Sequence, residues 1–384
     1  AGYQTHCVGK THFYPQRAHL GFDSLDSYEA MQNFDGLYVN DYHEWLRDRT
    51  GGTRHERDHG LDSNSWNARP SPLPAELHNT TWVATKGIEF LRRRDRSRPF
   101  FLNLSFHRPH PPIDPPRDWW DRYANKELPP VPVGDWAAVH DVPARTLAAW
   151  HGRLPDDLLA DCRRGYYAQI AHIDNQVGRV LQALRQLRAG PTWVVFSSDH
   201  GEMLGDHHLF RKVYAYEGSA RVPLIVTPPE GAGPGEVCDL PCTLTDLYPT
   251  MLSMAGAEIP ARTEGLDLLG CLRGQAGELR RRRPWIHGEH AACYDPDLAM
   301  QFVTDGQWKF VWYTPTGQEQ LFHIAEDGDE RHDRAGDPDC RDQLGIARGQ
   351  LVAALADRPG DGLTDGERLI PGTRLPAVRP ELLE

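Results

Sequence analysis

Asp199-His200 stands where an apolar run, Thr192-Trp193-Val194-Val195-Phe196-Ser197, comes to an end. A carboxylate and an imidazole on adjacent loop residues both reach one cation, and the same loop then supplies Glu202, Asp206, His207, His208, Arg211 and Lys212. Acid, imidazole and fixed cation within 14 residues suit a metal site that binds an anion. Taken alone, an Asp-His pair is more often part of a solvated polar loop; the strand before it and the cations after it favour the site. A second group, His107-x-x-His110-Pro111-Pro112, follows another apolar run. Its prolines restrict both imidazoles, and a histidine so placed suits general-acid work on a leaving oxygen. A loop histidine bonded to backbone is an equally good reading of that group by itself. The third, Gly9-Lys10-Thr11-His12, puts a lysine and a histidine two residues apart, on one side of an extended segment. It is weak on its own. Together the three clusters describe a site for a tetrahedral anion against a metal ion, with Lys10 and Lys212 neutralising the anion's oxygens.

These residues need strands to carry them. Gly2–Gly9 reads as a short strand running into a glycine turn, and Pro99–Ser105 as a strand buried on both faces. Residues 192–197 and 222–226 read the same way. Between them, helical spacing covers Leu37, Tyr42, Trp45 and Leu46, and a helix from Thr81 carries Val83, Ile88 and Leu91 with Thr80 or Thr81 as cap. The clearest helix spans 163–187, with Tyr166, Ile170, Ile173, Val177, Val180, Leu181, Leu184 and Leu187 on one face. Strands alternating with helices predict an α/β fold with a mostly parallel sheet covered on both faces. After about residue 275 short strands with hairpin chemistry take over. Asp305-Gly306 suits a type I′ turn, and a helix follows near 340–356. The expected division is therefore 1–275 for the α/β domain and 276–384 for a subdomain with a small antiparallel sheet, a helix and a Pro/Gly-rich tail.

Composition excludes several classes. The 384 residues carry 42 Lys plus Arg against 54 Asp plus Glu, a net charge of −12, which opposes general nucleic-acid binding. No run of about 18 apolar residues is present to span a membrane. The 25% charged and 39% hydrophobic residues are globular values. Seven scattered cysteines fit free thiols better than a disulfide framework and lean toward a reducing compartment. The run Arg280–Arg283 reads as a solvated linker, with a polyanion contact as the sharper alternative.

With these motifs in place, the chain resembles the type I sulfatases of the alkaline phosphatase superfamily. The likeness rests on Gly9-Lys10-x-His12, His110-x-Pro112 and Ser198-Asp199-His200-Gly201, with Lys212 thirteen residues after Asp199. The stretch from Asp199 to His207, then Tyr216-Glu217 and Arg221–Val226, is similar to bacterial sulfatases in particular. The resemblance implies an alkaline phosphatase-like sheet sandwiched by helices, and hydrolysis of a small-molecule or glycan sulfate ester. It implies Asp199 and His200 as ligands of a divalent cation, usually calcium. An imidazole ligand leaves manganese, magnesium or zinc open. Lys212 would hold the sulfate; Lys10 and His12 would contact nucleophile and sulfate; His110 would protonate the leaving alcohol, with His107 in support. Asn64, Trp66 and Tyr14-Pro15-Gln16-Arg17 would line the organic part of the substrate.

The same resemblance expects a formylglycine nucleophile, matured from Cys or Ser in a C/S-x-P-x-R motif, and paired aspartates near the N-terminus. Neither is here: Cys293 is followed by Tyr-Asp-Pro, one place out of register, and no serine fits. Both would lie upstream of Gly9. The chain therefore reads as a sulfatase without its first strand, two metal carboxylates and nucleophile, inactive by itself. A stop codon immediately before the codon for Ala1 would sink that expectation. Phosphonate monoester and phosphodiester hydrolysis on the same fold is the nearest rival, and a non-catalytic relative the second. Oligomeric state is not legible.

Overall fold

In a computed structural model the chain is described over residues 2–29, 40–229 and 235–372. These fall into two compact units, the first drawn from 1–130, 143–149 and 154–191, the second from 131–142, 150–153 and 192–384.

The first unit is built on three parallel strands, β1 (Gln4–Gly9), β2 (Ser24–Ser27) and β3 (Phe100–Ser105), in the order β2-β1-β3. Central β1 pairs Cys7 with Leu25 on one side and Asn103 on the other. Between β2 and β3 lie α1 (Asp41–Thr50) and α2 (Asn79–Arg93); α3 (Arg117–Tyr123) and α4 (Asp156–Gln186) follow. Of the predicted first helix, Leu37 lies outside the described residues; the helix begins at Asp41 with Asn40 as its cap. Helix α2 turns Trp82 and Val83 toward Val8 and Tyr28, and Ala84, Ile88 and Leu91 toward Val180 and Ala183 of α4. Its cap is neither threonine: His78 accepts from Thr80 N through its ring at 3.2 Å, so an imidazole does the work expected of a hydroxyl. On α4, Ile173 and Val180 are buried but Ile170 faces solvent, because the packed stripe runs instead through Ala168, Gln169 and His172.

The second unit holds β4 (Val194–Ser197), α5 (Glu217–Ala220), β5 (Leu224–Thr227), α6 (Leu247–Met254), α7 (Leu269–Leu272) and α8 (Ala276–Arg282). Then come β6 (Ile286–His290), β7 (Met300–Thr304), β8 (Lys309–Tyr313), β9 (Glu319–Phe322) and α9 (Arg341–Ala356). Strands β6 to β9 form an antiparallel meander. Every residue of β8 is buried, since the meander is covered twice. Phe310 and Trp312 pack with Leu344, Ala347 and Leu351 of α9. Val311 and Tyr313, on the other side, pack with Met203, Leu209, Tyr214 and Tyr216. That second packing draws the 203–216 loop and the C-terminal sheet into one unit.

Three local expectations are corrected. Strands β4 and β5 pair antiparallel, Val195 opposite Val226; their connection packs on the C-terminal sheet and holds only the four-residue α5, too short to serve as a crossover helix. The runs read as buried on both faces are only half covered, leaving Phe101, Phe196 and Ile225 exposed. Thr304 pairs with Lys309, so the hairpin loop has four residues rather than two. Asp305 accepts from Gln307 N and Trp308 N, both at 2.8 Å, and of that loop only Gly306 has positive φ, which excludes type I′.

Candidate active site

In the first unit, the chain leaves β1 through Gly9 at φ 103°, where a Cβ would lie 2.0 Å from Ser105 O. Only glycine permits that approach, and it sets the path of Lys10, whose N–H donates to Ser105 O at 3.0 Å. The next turn wraps around a residue that sequence reading missed. Buried Glu29 accepts from Thr11 N (2.7 Å), Thr11 Oγ1 (3.0 Å), His12 N (2.6 Å) and His12 Nδ1 (2.7 Å). Burial pushes the Glu29 carboxyl up, but the bonds from the His12 ring and the two backbone N–H groups outweigh it and hold it below its ordinary value. With Nδ1 bound, His12 keeps Nε2 for chemistry, on a side chain that is 55% exposed.

Past β3, His107 is buried and His110 half-buried, their ring centroids 5.0 Å apart. Burial, then the charges of Arg108, His110, Lys10 and His12, hold His107 well below the usual imidazole range. It is therefore neutral and accepts from Arg108 Nη1 at 2.7 Å through Nδ1. His110 donates from Nδ1 to Pro111 O at 2.9 Å, which directs its proton-exchanging atom to Nε2. Arg108 is clamped by buried Asp114, Nε to Oδ1 at 2.6 Å and Nη2 to Oδ2 at 3.0 Å. Beneath, Glu56 accepts from Tyr28 Oη (2.7 Å), Asn79 Nδ2 (3.1 Å) and His43 Nε2 (2.6 Å). Trp66 is corrected: fully buried and donating to Ala149 O at 2.7 Å, it braces the loop and offers no substrate surface.

A pH dependence follows for Glu56. Burial favours its neutral form, but His43 above all, then Arg108 and Tyr28, lower it from 4.5 to about 2. A lowered carboxyl stabilises the fold above its unfolded value, and that contribution is lost as pH falls through the folded one. The wild type should therefore exceed Glu56→Gln by about 3 kcal/mol at neutral pH, and the gap should close as pH falls from roughly 4.5 to 2. Urea midpoints at several pH values measure it; a gap constant with pH would refute it.

In the second unit, Asp199 and His200 follow β4. His200 donates from Nδ1 to Gly201 O at 2.8 Å, so its lone pair is on Nε2, 3.7 Å from Asp199 Oδ2. The two donor atoms are thus disposed for one cation. Among the described residues, however, no group of three His, Cys, Asp or Glu side chains gathers to hold a metal. The pair fits as part of a ligand set and falls short of a full one. Glu202, half-buried, accepts from Leu204 N at 3.2 Å and from Arg211 N, folding the loop back so that Lys212 lies in its field. Burial dominates there and pushes the Glu202 carboxyl up to about 7. Leu204, His207, His208, Arg211 and Val213 all have positive φ, a density of strain that local preference alone would not sustain.

Tertiary packing sustains it. Buried Lys309 on β8 donates to Ala215 O (2.7 Å), Glu217 Oε1 (2.6 Å) and Glu330 Oε1 (2.9 Å), while Glu330 Oε2 accepts from Glu217 N at 2.6 Å. This ties the end of the Lys212 loop to the C-terminal sheet. Lys309→Met leaves two carboxylates without their cation and should cost about 3–5 kcal/mol. A urea titration checks it, and a loss under 1 kcal/mol would contradict the network's role. Lys309 was not singled out from sequence, because a lysine in an apolar strand gives no sign of buried partners.

Residues 1–257 match the family model "Sulfatase", and residues 205–353 match "N-sulphoglucosamine sulphohydrolase, C-terminal". The chain is 37% identical to an arylsulfatase of Clostridium perfringens (strain 13 / Type A), over 97% of this chain and 79% of that one. It is 30% identical to arylsulfatase K of Mus musculus, over 65% of this chain and 49% of the relative, so it spans about half that relative's length. Among solved structures, the phosphonate monoester hydrolase of Agrobacterium radiobacter aligns with a TM-score of 0.70 at 22% identity, covering 98% of this chain and 82% of that one.

Proposed function

The chain belongs to the sulfatase family, and on that premise we propose that it serves the hydrolysis of a sulfate monoester, on a small molecule or a glycan. The observation carrying this reading is the Glu29 cradle: it holds Thr11 and His12 in the family's Gly-Lys-x-His segment by four hydrogen bonds to one buried carboxylate.

As the family pattern implies, Lys10 in the first unit and Lys212 in the second would each supply positive charge to a sulfate ester, on whose non-bridging oxygens negative charge grows in the transition state. His12 exchanges a proton at Nε2, since Nδ1 is committed to Glu29. His110 donates a proton from Nε2 to the leaving oxygen, with Nδ1 committed to Pro111 O. His107, neutral and buried, orients this loop through Arg108. Asp199 and His200 would hold a divalent cation, which when bound supplies charge stabilisation to the sulfate oxygens. Calcium is the ion we favour, with manganese, magnesium and zinc as alternatives.

A formylglycine supplies the nucleophile in this chemistry. No Cys or Ser of the 384 residues sits in the C/S-x-P-x-R setting, so these residues alone are expected to give no turnover. The test uses the longest product of the gene, assayed side by side on an aryl sulfate and an aryl phosphonate. A higher rate on the sulfate is expected. A higher rate on the phosphonate would replace this reading with phosphonate monoester hydrolysis, and no turnover of either would favour a non-catalytic relative.

A further inference from the structure

Two cysteines far apart in sequence meet in the second unit. Cys238 Sγ lies 3.2 Å from Cys271 Sγ of α7, across 33 residues of chain. A frame holds them there. Leu240 packs with Leu266, Leu268 and Leu279, and Cys271 lies against the same cluster. Arg283 donates to Pro241 O at 3.2 Å and pairs with fully buried Asp246 at 2.6 and 2.7 Å. Arg280 donates to Asp239 O at 2.8 Å. Two of the four arginines read as a solvated run are thus clamps on segment 239–246. Cys238, just before it, is exposed, while Cys271 is half-buried.

We propose that Cys238 and Cys271 form a dithiol–disulfide couple, a covalent modification site oxidised by a small disulfide of the glutathione class. The exposed Cys238 thiolate attacks one sulfur of oxidised glutathione and expels one glutathione thiolate. Cys271 then attacks Cys238 Sγ as its thiolate and expels the second. Two protein thiols are oxidised, one glutathione disulfide is reduced to two thiols, and the two protons lost by the protein go to the leaving thiolates. The order follows from access and acidity. Burial first, and the neighbouring Cys238 thiol second, push Cys271 up to about 12, which makes it the resolving thiol. A disulfide needs sulfurs about 2.05 Å apart, so the pair must close by roughly 1.2 Å, within reach of side-chain rotation. Cys242 is also exposed and close enough to act electrostatically on Cys271, which makes it the rival partner.

Native protein is incubated with oxidised glutathione, quenched in acid, alkylated and mapped by mass spectrometry. The expected product is a peptide pair linked through Cys238 and Cys271, in roughly tenfold excess over any other pairing. Cys238→Ser and Cys271→Ser should lose the link and Cys242→Ser should keep it, each with the circular dichroism of the wild type. The same incubation in guanidinium should abolish the preference, which tests the folded frame independently of the variants. A glutathione adduct that never resolves, a dominant link through Cys242, or a pairing ratio unchanged by guanidinium would overturn the proposal.

Discussion

Glu29→Gln, made in the longest product of the gene, should lower its turnover of an aryl sulfate by roughly 10²- to 10⁴-fold, with little change in KM. Both carboxylate oxygens of Glu29 are in use, Oε1 by Thr11 and the His12 backbone and Oε2 by the His12 ring. A glutamine has one accepting oxygen and an NH2 group that only donates. Either the backbone turn loses its acceptor, or His12 must present a lone pair from Nδ1 and move its proton to Nε2. The second outcome reverses the tautomer that the reaction uses. Nitrogen-15 NMR of the imidazoles reads this directly, and a merely structural role would leave the His12 tautomer unchanged. A variant that keeps kcat within threefold of wild type would remove Glu29 from the mechanism.

The second large effect concerns stability. Asp114→Ala should cost about 3–5 kcal/mol, because it leaves a buried guanidinium without its counter-charge. Asp114 is nearly inaccessible and accepts from Arg108 twice, from His59 Nε2 at 3.1 Å and from Gln169 Nε2 at 3.2 Å. Burial works against its charge, yet the Arg108 guanidinium and the histidine bonds hold it far below the carboxylate range. The same arginine donates to His107, so the loss reaches the histidine loop as well as the fold. Urea unfolding followed by tryptophan fluorescence measures it, with Trp66 and Trp82 buried in this unit as reporters. Asp114→Asn should fall between wild type and alanine, as it keeps one acceptor. A midpoint unchanged in the alanine variant would show that the ion pair does not hold the loop.

These two residues show where sequence reading stops. His12 and His110 were legible because they follow strand-like runs and stand in a family pattern. Their partners were not. Glu29 lies 17 residues from His12 in a stretch with no motif of its own, and Asp114 differs from any loop aspartate only once Arg108, His59 and Gln169 surround it. Trp66 misled in the opposite sense, since an aromatic in a polar loop resembles substrate surface until its indole is seen bonded to Ala149 O.

Apolar runs, glycine turns and helical spacing act over a few residues, so the chain alone determined the strands at 4–9, 100–105, 194–197 and 224–227, the long helix, the small C-terminal antiparallel sheet and the place of Lys10, His12, His107, His110, Asp199 and His200 just past strands. Charge state, tautomer and strand direction depend on groups that are remote in sequence, and only the tertiary structure decided them. Burial makes an unpaired charge costly, and the cost is met or left unmet by whichever side chain the fold brings within hydrogen-bond distance. Glu29, Asp114, Lys309 and the Cys238–Cys271 contact all belong to that second kind of information.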